Sequence, residues 1–324
     1  MPTTEIASPR RSLFDRPEAP PPGRLTERDV LIARSVARFR FLSQPQICRL
    51  VPGSAQGVGR RTRFLFMSHI LDSPKVQRQL LAHVFDTGNV PLVYGLGREG
   101  ARLIAPDEPW LNAESDWSYL NNQATALNLA HTTETADFVI DLELALSLKG
   151  DGWGLIDHHR LLPSFPEETR RPRPNHNPFK LVANVNGATP HAGGVRKKLP
   201  GLTSNRIAVV PDRVLSIVHG HERHNRLLEW DRGTMSNRAR ISKKLLGYYR
   251  AWQQQLHTTQ WNFQSFQVAF VTPSRARLDN WLALQKEITG GSRLFLFSTP
   301  KDIAEHGVLG LSWVNGKGEN VALV

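Results

Sequence analysis

The stretch IAVVPDRVLSIVHGHERHNRLLEWDRG, residues 207–233, decides how the larger part of the chain is read. Residues 207–218 and 226–231 have the β-branched and apolar make-up of strands. The polar segment around Gly220 between them predicts an antiparallel hairpin. Pairing the two arms brings Asp212, at the start of one, beside Glu229 and Asp231, at the end of the other. Converging carboxylates are hard oxygen ligands of the kind that Mg²⁺ or Mn²⁺ takes together with water and phosphate. Asp212 and Glu229 are therefore the candidate metal ligands. The same acids also suit a plainer role, pairing with Arg232, Arg238 or Lys243 to anchor the helix that follows.

Before this stretch, residues 127–148 read as one long helix, with Leu129, Phe138, Leu142 and Leu146 on its buried side. Residues 163–204 are rich in Pro, Asn and Gly. They carry Arg170, Arg171, Arg173, Lys180, Arg196, Lys197 and Lys198 against only Glu167 and Glu168, so they are expected to form a basic loop insertion that adds DNA affinity. Beyond the hairpin the pattern predicts a helix over 235–256, a strand over 266–272, a helix over 275–288 and a strand over 293–298. Helices alternating with strands in this way describe an α/β domain. An aspartate on one strand and an acid on the next, framed by these helices, is the arrangement of the PD-(D/E)xK core, a restriction-endonuclease-like fold with a mixed central sheet. That core adds an acid on its first helix, for which Glu134, Asp137 and Asp141 are the candidates. Its lysine is missing from the usual place, where Asp231 stands. Lys243 or Lys244 on the next helix would bring a charge to the same spot.

The first part of the chain has a different texture. Residues 1–24 are proline-rich without a period and are expected to be a disordered leader. Thr26-Glu27-Arg28-Asp29 has the shape of a capping box, and Val30, Ala33, Val36 and Ala37 then recur at helical spacing. Ser43 caps a short second helix closed by Pro52-Gly53. A third helix is expected over 55–71, its Val58, Leu65, Phe66 and Ile70 turned inward. Residues 80–85 and 90–96 flank the turn-forming Asp86-Thr87-Gly88-Asn89. Three helices followed by a β-hairpin is the order of a winged helix-turn-helix, expected over 25–110, with the α/β domain at 120–324. Arg60, Arg61 and Arg63 fall early on the third helix, where such a fold meets the major groove, and Arg98 follows the wing.

Composition sets the class of partner. Lys and Arg number 41 against 29 acids, a net charge of +12 over 324 residues, and the isoelectric point is near 10.3. Such a balance points to a polyanion, here double-stranded DNA. A mean hydropathy of −0.35 and no long apolar run exclude a membrane-spanning chain. The single cysteine, Cys48, excludes a disulfide framework and fits a cytoplasmic location. Gly95-Leu96-Gly97-Arg98-Glu99-Gly100 matches the dinucleotide fingerprint in letters only, because it follows a hairpin arm rather than opening a βαβ unit. His219, His221 and His224 cluster with Glu222 at a spacing that can ligate a transition metal, but a polar hairpin tip is the commoner home for such residues; Asp157-His158-His159 stands elsewhere.

Three segments resemble the replication-relaxation family of bacterial and plasmid proteins: LTERDVLIARSVARFRFLSQPQICRLV, VPLVYGLGREGARLI and LLEWDRGTMSNRARISKKLLGYYRAW. In the last, Glu229, Asp231, Arg232, Gly233, Thr234, Lys244 and Tyr248 stand as that family's pattern has them. FVTPSRARLDNW and LGLSW are similar as well. The resemblance implies a DNA-binding protein of a plasmid or mobile element, acting in replication, relaxation or mobilisation, with a replication or mobilisation protein as a partner. Two other classes stand beside it. One is a Mg²⁺-dependent endonuclease, with Asp212, Glu229, Asp231, Lys244 and Glu134 or Asp137 as its catalytic set. The other is a non-catalytic repressor or recruiting factor that uses the α/β domain to form a homodimer.

Overall fold

The computed structural model describes residues 15–17, 19–77, 91–171, 173, 176–185, 205–233 and 238–324. The chain has an α/β fold with mixed sheets and divides into two compact units, one up to Asp137 and one from Phe138.

The first unit opens with α1 (Glu27–Phe39), β1 (Phe41–Ser43), α2 (Gln44–Leu50) and α3 (Ala55–Met67). Local chemistry starts each helix. Asp29 Oδ2 accepts from Thr26 N (2.7 Å) and Thr26 Oγ1 (2.8 Å). Ser43 exchanges bonds with Gln46, and Ser54 Oγ accepts from Gly57 N (3.1 Å). The third helix stops short of its expected end, because His69 turns left-handed (φ 59°) and Ile70 N reaches back to Leu65 O. The chain then forms β2 (Leu71–Asp72), which pairs with β3 (Val93–Leu96); β1 flanks β3 on its other side. The expected first arm at 80–85 and its turn lie outside the described residues.

The glycine triplet gains a packing explanation here. A Cβ on Gly97 would stand 2.3 Å from His69 O, and one on Gly100 would stand 2.2 Å from Ile70 O. The glycines let α4 (Arg98–Ile104) press on the chain after α3. α5 (Trp117–Asn122) and the start of α6 (Ala126–Leu148) extend this unit past residue 110, with Ala124 and Leu129 packed on Phe41. The leader corrects its expectation where it is described. Arg16 bonds Asp72 (2.6 Å) and lies 4.3 Å over the Phe66 ring, so the leader is held at that residue rather than structureless.

The second unit holds a seven-stranded mixed sheet. Its strands are β4 (Trp153–Asp157), β7 (Arg213–His219), β8 (Glu222–Trp230), β9 (Gln267–Val271), β10 (Phe295–Ser298), β11 (Trp313–Asn315) and β12 (Asn320–Val321), in that spatial order. The first three run antiparallel, and β8, β9 and β10 are mutually parallel. Two short helices, α7 (His158–Leu161) and α8 (Glu167–Arg170), lead into a separate ribbon of β5 (Leu181–Asn184) and β6 (Arg206–Val209). The parallel strands are joined through α9 (Arg238–Gln253), α10 (Leu256–Trp261) and α11 (Arg275–Thr289), and α12 (Pro300–His306) follows β10. One core gathers Val214, Leu227, Phe270 and Phe297 from the sheet with Leu245, Tyr248 and Trp281 from the helices.

Two expectations change. The run at 207–218 is two strands rather than one: Pro211 has no N–H for a ladder, and the chain leaves the ribbon there to enter the large sheet. The stretch at 163–204 is not wholly a loop insertion, since Leu181, Ala183 and Val185 are buried in the core beside Phe165. Pro and Gly counts hid them, because a strand of four residues is too short to shift the composition. Gly247 admits this ribbon onto α9, where a Cβ would meet Val209 Cγ1 at 2.6 Å.

Residues 186–204 connect strands paired in register from Leu181↔Val209 to Asn184↔Arg206. Removing 166–200 should unfold the second unit, because it strips Leu181 and Val185 from the core, at about 1.5–3 kcal/mol each, with a smaller loss for Ala183. Thermal melts of the full chain and of the deletion check this.

Candidate functional site

Asp212 immediately precedes β7, with its N donating to Leu228 O (2.9 Å) and its Oδ2 accepting from Trp230 N (2.7 Å). It thereby closes the end of the β7–β8 ladder. Strand alternation places Glu229 on the face of Leu227, under α9. Glu229 is 1% exposed. From α9, Lys244 and Tyr248 sit one turn apart and reach the same carboxylate: Lys244 Nζ donates to Oε2 and Tyr248 OH donates to Oε1. Lys243 is exposed, and of the two lysines it is Lys244 that reaches Glu229. Asp231 accepts from Arg277 Nε and Nη2, the latter at 3.1 Å, and from Gly233 N (3.0 Å).

Burial pushes the Glu229 carboxyl up to about 7, aided by the charge of Asp212 and opposed by Lys244. Burial works against the Lys244 ammonium as well, but Glu229 and Asp212 outweigh it and hold the group above its usual value. Burial and the Glu229 charge raise the Tyr248 hydroxyl well above its usual range, so it stays a proton donor. The arrangement is a buried carboxylate neutralised by one ammonium and oriented by one phenol.

Of the acids expected on the first helix, none bonds Glu229 in the contacts described above. Glu134 and Asp137 belong to the first unit, where Asp137 pairs with Arg49 (3.3 Å). Asp141 is exposed. Arg238, an expected partner of the acids, pairs with Glu287 instead. His219 stacks on Trp153, with ring centroids 4.3 Å apart. Asp157 caps α7 through His158 N (2.7 Å). Among the described residues no group of three or more His, Cys, Asp or Glu is placed to hold a metal ion. Both Glu229 oxygens already accept from Lys244 and Tyr248. A divalent ion would have to displace the ammonium, so the donor set as built does not fit Mg²⁺ or Mn²⁺.

On the first unit, Arg60 is exposed on α3 and Arg98 is exposed at the start of α4. Arg63 lies 5.3 Å over the Phe66 ring. Arg61 departs from its expected role. Its Nε (2.8 Å) and Nη2 both donate to Asp29, which is fully buried. Arg196, Lys197 and Lys198 lie outside the described residues. Sequence reasoning did not find Arg277, which is 46 positions from Asp231. Tyr248 carried no role there either, although its spacing of four from Lys244 was a usable signal.

Fold and site together define an α/β protein in which a buried glutamate of the mixed sheet is met by a lysine and a tyrosine from the covering helix, beside two further aspartates. The chain belongs to the replication-relaxation family, whose sequence profile matches residues 34–265. No curated protein and no solved structure matches it. Among the described residues no helix is long and apolar enough to cross a membrane.

Proposed function

We propose that the chain is a DNA-binding protein serving the replication or relaxation of a plasmid or mobile element, and that its first unit is a winged helix-turn-helix that reads duplex DNA through α3. One observation carries this reading. In a unit ordered helix–strand–helix–helix–strand–strand, Arg60 stands exposed on the third helix and pairs with no described carboxylate. The net charge of +12 supplies the complementary field. Arg60→Ala should weaken duplex binding and flatten the dependence of log Kd on log salt by about one. Fluorescence anisotropy of the full chain between roughly 50 and 200 mM salt reads both effects. Binding that ignores salt and the substitution would retire the proposal.

The second unit is proposed to act without hydrolysis, as a folded platform for a partner or a second copy. The charge balance at Glu229 supports that reading over a nuclease. With Lys244 seated on the carboxylate, millimolar Mg²⁺ or Mn²⁺ should leave the thermal transition unchanged, because no ligand binds the folded state. A rise of several degrees, abolished by Asp212→Asn, would instead restore the metal-dependent phosphodiesterase with Asp212, Glu229 and Lys244 as its groups.

A further inference from the structure

Resting on the proposed DNA-binding role of α3, the geometry points to Gln56, with Arg60 and Arg63, as the set that reads bases, and to an adenine opposite Gln56. Two boundaries define the face. Val58, Thr62, Leu65 and Phe66 are buried and turn α3 onto the core of its unit. The flank of Arg61 and Phe64 is occupied by the chain before α1: Arg61 Nη2 donates to Arg24 O (3.1 Å), and a Cβ on Gly23 would stand 2.6 Å from the Phe64 ring. What remains outward is the stripe of exposed Gln56 and Arg60, with half-buried Arg63 on its Phe66 side. At 3.6 residues per turn these fall within about 60° of one another around the axis.

The stripe is not a run of like charges. Gln56 is exposed in the first turn and bonds no other described residue. Ser54 Oγ holds that turn in place by accepting from Gly57 N. A primary amide offers one donor and one acceptor side by side, the pair that matches adenine N7 and N6 in the major groove. A guanidinium matches guanine O6 and N7. From Gln56 to Arg63 the helix rises roughly 10 Å, about three base steps of ~3.4 Å. The contacted element therefore fits within four consecutive base pairs, with adenine at the Gln56 end and guanine towards Arg63.

Selection from a random duplex pool with the full chain, followed by anisotropy on the recovered site, tests this. Gln56→Ala should relax one position and weaken the selected duplex roughly 10-fold, with an unchanged salt slope, because an amide releases no counterion. Gln56→Glu should move that position from adenine towards cytosine, whose amino group donates to a carboxylate. Arg60→Ala and Arg63→Ala should relax other positions and lower the slope by about one each. Both Gln56 variants recovering the wild-type site at wild-type affinity would overturn this inference and leave DNA binding standing. A wild-type chain that binds no duplex would overturn both.

Discussion

Lys244→Ala is expected to destabilise the second unit by about 3–5 kcal/mol, a large share of the stability of an ordinary domain. Removing the ammonium leaves Glu229 buried with only the Tyr248 hydroxyl as a donor. The carboxyl then avoids the cost by holding its proton to higher pH. The sign follows from the wild-type shift. A carboxyl raised from 4.5 to about 7 binds more proton folded than unfolded, so its contribution is full below 4.5, is lost as pH rises to about 7, and is flat beyond. In the wild type that loss is on the order of 3 kcal/mol. In Lys244→Ala the fall should reach higher pH, because a cation that lowered the carboxyl has gone. Glu229→Gln should abolish the fall, and Glu229→Gln with Lys244→Met should recover much of the stability, since neither charge is then buried alone. Urea unfolding from pH 4 to 9 on the four proteins checks the set. A Lys244→Ala protein as stable as wild type at pH 8 would show that the ion pair contributes nothing.

Arg61→Ala should be nearly as damaging to the first unit, by about 3 kcal/mol, and for the same reason. Asp29 is fully buried and, without Arg61, keeps only the donors of Thr26. Its pH dependence runs the opposite way. Burial alone would raise this carboxyl, but Arg61 and Thr26 outweigh it and hold it below its usual value. Its contribution is therefore present above the unfolded pKa of 3.8 and lost as pH falls. Arg61→Ala should flatten that acid limb, and adding Asp29→Asn should restore part of the stability. DNA binding then separates the arginines: Arg60→Ala should weaken binding with the melting temperature intact, whereas Arg61→Ala should lose binding together with the fold. An Arg61→Ala protein that melts normally and fails only in binding would return Arg61 to the DNA-contacting face.

Much of this protein is decided within four residues along the chain. Thr26, Ser43 and Ser54 start three helices because each offers oxygen to nearby backbone N–H groups or receives a carboxylate three positions on. The alternation around Leu227 and Glu229 makes a strand and puts the acid on the covered face. For the same reason the hairpin within residues 207–233, and the approach of Asp212 to Glu229 at its end, are legible in the sequence alone. Tertiary structure decided which cation answers which acid. Arg61 meets Asp29 across 32 positions and Arg277 meets Asp231 across 46, choices set by burial rather than by spacing. It also placed Leu181–Asn184 as a strand inside a stretch whose composition reads as loop, because packing against α9 and α10 stabilises four residues whose own propensity signal is too short to stand out. Local rules fix where elements begin and which way side chains face. Partners are chosen by the core, where a buried charge must find its counterpart from whatever part of the chain passes by.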